Sequence, residues 1–73
     1  MDLKERRREI VEIISHELMI EDLSENDRFD TLGISDADKY SIIIRLEDMG
    51  FFVSEMDFED YPAISDFLNA LGL

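Results

Sequence analysis

The stretch LGISDADKYSIIIRLEDMGF, residues 32–51, decides the fold. From Ser35 onward its apolar residues recur at intervals of three and four: Ala37, Tyr40 and Ile44 form one stripe, Ile42, Leu46 and Met49 a second, and Ile43 lies between them. That spacing is helical. Asp38, Ser41, Arg45 and Asp48 fall on the side expected to face water. An apolar arc this wide predicts a central helix that packs against neighbours on more than one side. Ser35 followed three residues later by Asp38 is a variant of the capping box, and Gly50 is placed to stop the helix, so its predicted span is about 36 to 49.

Working upstream, Ile10, Val11, Ile14 and Leu18 make a stripe with Ile13 beside it, while Glu5, Arg8, Glu12 and His16 lie away from it. Residues 3 to 19 therefore read as an amphipathic helix. Arg6 to Arg8 form the one basic run, read as a solvated face in which Arg8 and Glu12 attract. Between the two helices, EDLSENDRFDTLGI at 21–34 is rich in turn formers and reads as a long loop anchored by Leu23, Phe29, Leu32 and Ile34. The spacing of Asp27 and Asp30 does not supply the alternating oxygen ligands of a calcium loop. Downstream, FFV at 51–53 leans towards strand, SEMDFEDY allows about one helical turn, and Pro62 opens a last helix carrying Ile64, Phe67, Leu68 and Leu71, with Gly72 at its end.

The expected fold class is thus all-α: a single domain over residues 1–73, a bundle of three main helices plus one short helix. The expected core includes Ile14, Leu18, Phe29, Ile43, Leu46, Ile64 and Leu68. The chain has 19 acidic and 7 basic residues and a net charge of −12, which repels nucleic acids and anionic membranes and favours basic protein surfaces. It has no cysteine and no apolar run near the length of a membrane span, so a monomeric, cytoplasmic protein without disulfides is expected. No nucleophile–base pair, glycine-rich phosphate loop or metal-ligand cluster is legible, which points to a binding module and away from an enzyme.

The segment LGISDADKYSIIIRLEDMGF resembles the recognition segment of acyl and peptidyl carrier proteins, in which a Leu-Gly pair precedes Asp-Ser-Leu and an apolar-rich helix ending in Leu-Glu. RFDTLG at 28–33 is similar to the family's Phe-x-x-Asp-Leu-Gly approach, and Val53, Phe58, Tyr61, Ile64, Leu68 and Leu71 fall at the spacing of its later helices, so the likeness covers nearly the whole chain. Register is set by the helix. With Asp36 at the family's attachment serine, Ala37, Tyr40, Ile42, Ile43, Ile44 and Leu46 fall on apolar positions; with Ser35 there, every side chain turns by about 100° and Asp36 enters the packing.

The resemblance implies a four-helix bundle whose second long helix docks on enzymes of fatty acid, polyketide or peptide biosynthesis through their basic patches. The residue after the serine and one about two turns on would touch the partner; these match Ala37 and Ile44, with Asp36, Asp38, Glu47 and Asp48 supplying charge around them. Lys39 and Arg45 depart from the family's more uniformly acidic pattern. The family's cofactor, 4′-phosphopantetheine, needs a hydroxyl acceptor, which Asp36 does not offer, so no cofactor is expected at position 36 unless serine is restored there. Three accounts remain open: a natural non-carrying relative, an engineered substitution, or an arm carried on the neighbouring Ser35, which would make the chain a working carrier. An unrelated acidic regulatory bundle is the alternative outside the family.

Overall fold

The computed structural model describes residues 2–73. Five helices follow one another: α1 Leu3–Leu18, α2 Phe29–Leu32, α3 Asp36–Asp48, α4 Glu55–Asp60 and α5 Ile64–Ala70. Among the described residues no strand forms, and FFV at 51–53 lies in the connection between α3 and α4. The all-α class and the three main helices α1, α3 and α5 agree with the sequence reading. A second short helix, α2, stands where the sequence reads as a continuous loop.

The ends of α1 and α3 have identifiable causes. In α1, Asp2 accepts from the Lys4 amide at 2.9 Å and closes the first turn. The helix stops at Leu18, one residue earlier than predicted, because Met19 adopts φ 57° and Ile20 donates back to the Ser15 carbonyl at 3.0 Å. In α3 the Ser35 hydroxyl accepts from the Asp38 amide at 3.1 Å, and the Asp38 carboxylate accepts from the Ser35 amide at 3.4 Å. That is the expected capping box. At the other end Gly50 takes φ 92°, which lets Phe51 donate to the Leu46 carbonyl at 2.9 Å. The same serine–aspartate device recurs where the Ser54 amide donates to Asp57 at 2.8 Å and where the Ser24 amide donates to Asp27 at 2.8 Å.

The start of α5 differs from the sequence reading and explains the ordering of the preceding loop. Pro62 and Ala63 lie before the helix, in an antiparallel bridge that pairs Ala63 with Arg28. Phe29 donates to the Pro62 carbonyl at 2.7 Å, and the orphan amides of Ile64 and Ser65 donate to the Asp27 and Glu25 carbonyls at 3.0 and 2.9 Å. Loop carbonyls thus do what a side-chain cap would do for α5.

The core comprises Ile10, Ile14, Phe29, Ile42, Leu46, Phe58, Ile64, Phe67 and Leu68. Leu18 and Ile43, expected at its centre, are half-buried and pack against it. Its heart is aromatic: Phe29 meets Phe58 edge-on at 4.9 Å and Phe67 edge-on at 5.2 Å, and Phe58 stacks on Phe67 at 5.1 Å. α1 packs on α3, and α4 packs on both α3 and α2.

The basic run departs from its expected solvated role. The Arg7 side chain is only 15% exposed, and all five of its N–H groups are used. Nε donates to both Glu25 carboxylate oxygens at 3.0 and 3.2 Å, Nη2 donates to Glu25 and to the Ser65 carbonyl, and Nη1 donates to Asn69 at 2.9 Å and to the Leu73 carbonyl at 2.7 Å. One side chain ties α1 to the loop, to α5 and to the C-terminal turn. Arg6 pairs with Glu9 at 3.2 Å, whereas the expected Arg8–Glu12 attraction closes no ion pair.

Candidate docking site on the third helix

α3 buries one side and presents the other. Ile42 and Leu46 are fully buried, Asp38, Lys39, Ser41, Ile43 and Met49 are half-buried, and the rest of the helix is exposed. At about 100° per residue, Ala37, Tyr40 and Ile44 lie almost opposite Ile42 and Leu46. They do not form the second packing stripe: Tyr40 is 61% and Ile44 49% exposed, and Ala37 is exposed as well. The wide apolar arc of the sequence divides into a core face and an outward apolar strip. The bundle does not surround α3: α1 and α4 pack on it, and the exposure of Ala37, Tyr40 and Ile44 shows that its outer side stays uncovered.

Carboxylates frame that strip. Asp36 and Glu47 fall on one flank and Asp48 on the other, all exposed. The two cations of the helix are already engaged: Arg45 donates to Glu17 of α1 at 3.0 Å, and Lys39, whose side chain is mostly buried, brings its ammonium to 3.9 Å from Asp36. Glu47 and Asp48 meet no cation among the described residues, so the strip keeps a negative rim. Of the residues singled out by sequence, Asp36, Ala37, Ile44, Glu47 and Asp48 share this outward face. Asp38 does not join them, because its carboxylate is turned into the cap of its own helix.

At the start of α3, Ser35 spends its hydroxyl on the Asp38 amide, whereas the Asp36 side chain is 92% exposed in the first helical turn. A carboxylate there is favoured by the helix dipole. The capping role has a measurable consequence: Ser35→Ala should lower stability by about 1 kcal/mol in urea unfolding, while Ser35→Asp should stay close to the parent. An unchanged midpoint in the alanine variant would mean that the cap bears no weight.

The sequence reading gives no docking role to several exposed apolar residues, among them Tyr40, Phe52 and Met56. Tyr40 has the spacing of a packing residue, and Phe52, 80% exposed, and Met56, 64% exposed, carry no local mark of a role. Met56 stands on the outward side of α4 among Glu55, Glu59 and Asp60. A signal is present in the charge pattern, since residues 46–73 contain Glu47, Asp48, Glu55, Asp57, Glu59, Asp60 and Asp66 without one lysine, arginine or histidine.

Among the described residues, no three His, Asp or Glu side chains converge as a metal site would require, and no helix is long and apolar enough to cross a membrane. The fold and the site define a small acidic all-α protein with one helix face that is apolar, carboxylate-rimmed and uncovered. No protein-family model, characterised protein or solved structure matches the chain.

Proposed function

We propose that the protein is a docking module of the acyl-carrier type that binds basic patches on biosynthetic enzymes through α3 and carries no phosphopantetheine arm at position 36. The observation that carries this reading is the outward strip of Ala37, Tyr40 and Ile44 between Asp36, Glu47 and Asp48, beginning where the resemblance places the attachment residue. Exposed apolar anchors inside a charged rim suit a partner pocket lined by lysine and arginine: the anchors supply burial, and the rim supplies steering and orientation. Asp36 does not fit the family's cofactor chemistry, since a carboxylate offers no hydroxyl to form the phosphodiester. Its charge instead joins the docking rim.

The test exploits an enzyme that reads carrier helices. On incubation with coenzyme A and a broad-specificity phosphopantetheinyl transferase, the unaltered protein should keep its mass, and Asp36→Ser should gain one phosphopantetheinyl group. Adding Ile44→Ala or Asp48→Lys to Asp36→Ser should slow that gain, the charge reversal more at low salt than at high salt. If Asp36→Ser stays unmodified, the α3 surface is not of the carrier type and the proposal fails. If the unaltered protein is modified and Ser35→Ala abolishes the gain, the arm belongs on Ser35 and the chain is a working carrier.

A further inference from the structure

The first two turns of α1 carry Lys4, Arg6, Arg7 and Arg8, four of the seven cations of a chain that is otherwise acidic. They do not all act alike. Arg6 and Arg7 are bound to Glu9 and Glu25, which leaves Lys4 and Arg8 without an ion-pair partner among the described residues. Glu5, Glu9 and Glu12 line a shallow depression with Arg8, but none of them closes an ion pair on it.

Lys4 and Arg8 border a groove of about 700 Å³ between α1, the Ser24–Glu25 turn and Leu73. Leu3, Val11 and Leu73 supply its apolar surface, and Leu3 is 55% exposed. The Arg7–Glu25 pair forms its wall. With every Arg7 N–H already spent, that wall is electrically closed and offers a ligand no donor. Apart from the Arg7–Glu25 pair, the charged side chains that line the groove are Lys4 and Arg8, both cationic. They sit four residues apart on one helix face, a rise of about 6 Å, near enough to hold a single anionic head between them.

Size decides the kind of occupant. The groove has the volume of a small-molecule site, roughly 300–1,000 Å³, whereas a stable protein interface engages about 20–30 residues on each side. We infer that this groove binds a single-tailed anionic amphiphile of the long-chain carboxylate class, with its alkyl chain over Leu3, Val11 and Leu73 and its carboxylate between Lys4 and Arg8. The site lies on α1 and is independent of the docking role proposed for α3.

Titration of the isotope-labelled protein with dodecanoate below its micelle concentration, followed by amide chemical shifts, tests the inference. Saturable shifts are expected along Leu3–Val11 and at Ser24, Glu25 and Leu73. Acetate, which lacks the tail, and dodecyltrimethylammonium, which reverses the head charge, should leave those amides unsaturated at the same concentrations. The double variant Lys4→Gln/Arg8→Gln changes two side chains at the groove rim and should weaken dodecanoate binding about tenfold or more. Equal binding by dodecyltrimethylammonium, shifts centred on α3 or α4, an affinity in the double variant within about twofold of the parent, or no saturable shift at all would each overturn the assignment. The acetate and ammonium arms use the unaltered protein, so their outcome does not depend on how the variant folds.

Discussion

Phe29→Ala is expected to lower the stability of the protein by about 3–5 kcal/mol, enough to leave a domain of this size largely unfolded at room temperature. Phe29 is 2% exposed and is the one ring that meets both other members of the aromatic cluster edge-on. Its removal takes away the transfer free energy of the ring and two aromatic pairs worth about 0.5–1.5 kcal/mol each, and it opens a cavity. The backbone around it cannot collapse freely to fill that space. Phe29 is the first residue of α2, and its amide is held by the Pro62 carbonyl. Loss of the ring therefore also loosens the bridge through which Asp27 and Glu25 cap α5. Urea unfolding followed by far-ultraviolet circular dichroism measures the effect. A loss below about 1 kcal/mol would show that the three rings do not form one packed unit.

Arg7→Ala ranks second, with an expected cost of about 2–3 kcal/mol. The substitution strands the Leu73 and Ser65 carbonyls and the Asn69 amide oxygen and leaves Glu25 without its cation, although the partial exposure of the site lets water satisfy some of them. The interaction also leaves a signature in pH. The Arg7 hydrogen bond, opposed by desolvation and aided by the charge of the guanidinium, holds the Glu25 carboxyl below the usual glutamate range. A carboxyl that is more acidic folded than unfolded adds stability above its unfolded value and loses it as pH falls through the lower folded value. The stability gap between the parent and Glu25→Gln should accordingly be full at neutral pH and close as the pH drops below the ordinary carboxylate range. A gap that stayed constant down to strongly acidic pH would mean that Glu25 is not acting through its charge. Arg28 depresses Asp30 in the same direction, but both side chains are about half exposed, so that pair adds little to the fold.

The proposed docking strip on α3 and the proposed amphiphile groove divide the molecule by charge. Among the described residues, Glu47 and Asp48 of the docking strip close no ion pair, and neither do Lys4 and Arg8 of the groove. Both follow from how seven cations are spent: five form ion pairs there and two do not. Reversing Lys4 or Arg8 should leave transferase recognition of Asp36→Ser intact, and reversing Asp48 should leave dodecanoate binding intact.

The sequence by itself determined the three main helices and both ends of α3, because these depend on interactions within a few residues of one another. The 3.6-residue period of Ile10, Ile14, Ile42 and Leu46, the Ser35–Asp38 box and the Gly50 stop are local, and all appear in the structure. Charge was equally legible, since it is a count. What only the tertiary structure decided is the fate of side chains whose local pattern admits two outcomes. Tyr40 and Ile44 have the spacing of core residues, yet α1 and α4 pack on α3 in a way that leaves both exposed. Arg7 stands in a run of three arginines that reads as solvated, yet it reaches partners 18 to 66 residues away along the chain. The loop before α3 is ordered by amides of α5 that no nearby residue could satisfy. Periodicity records which face of a helix is apolar, but whether a neighbour arrives to cover it depends on how many helices the chain has and where their connections bring them.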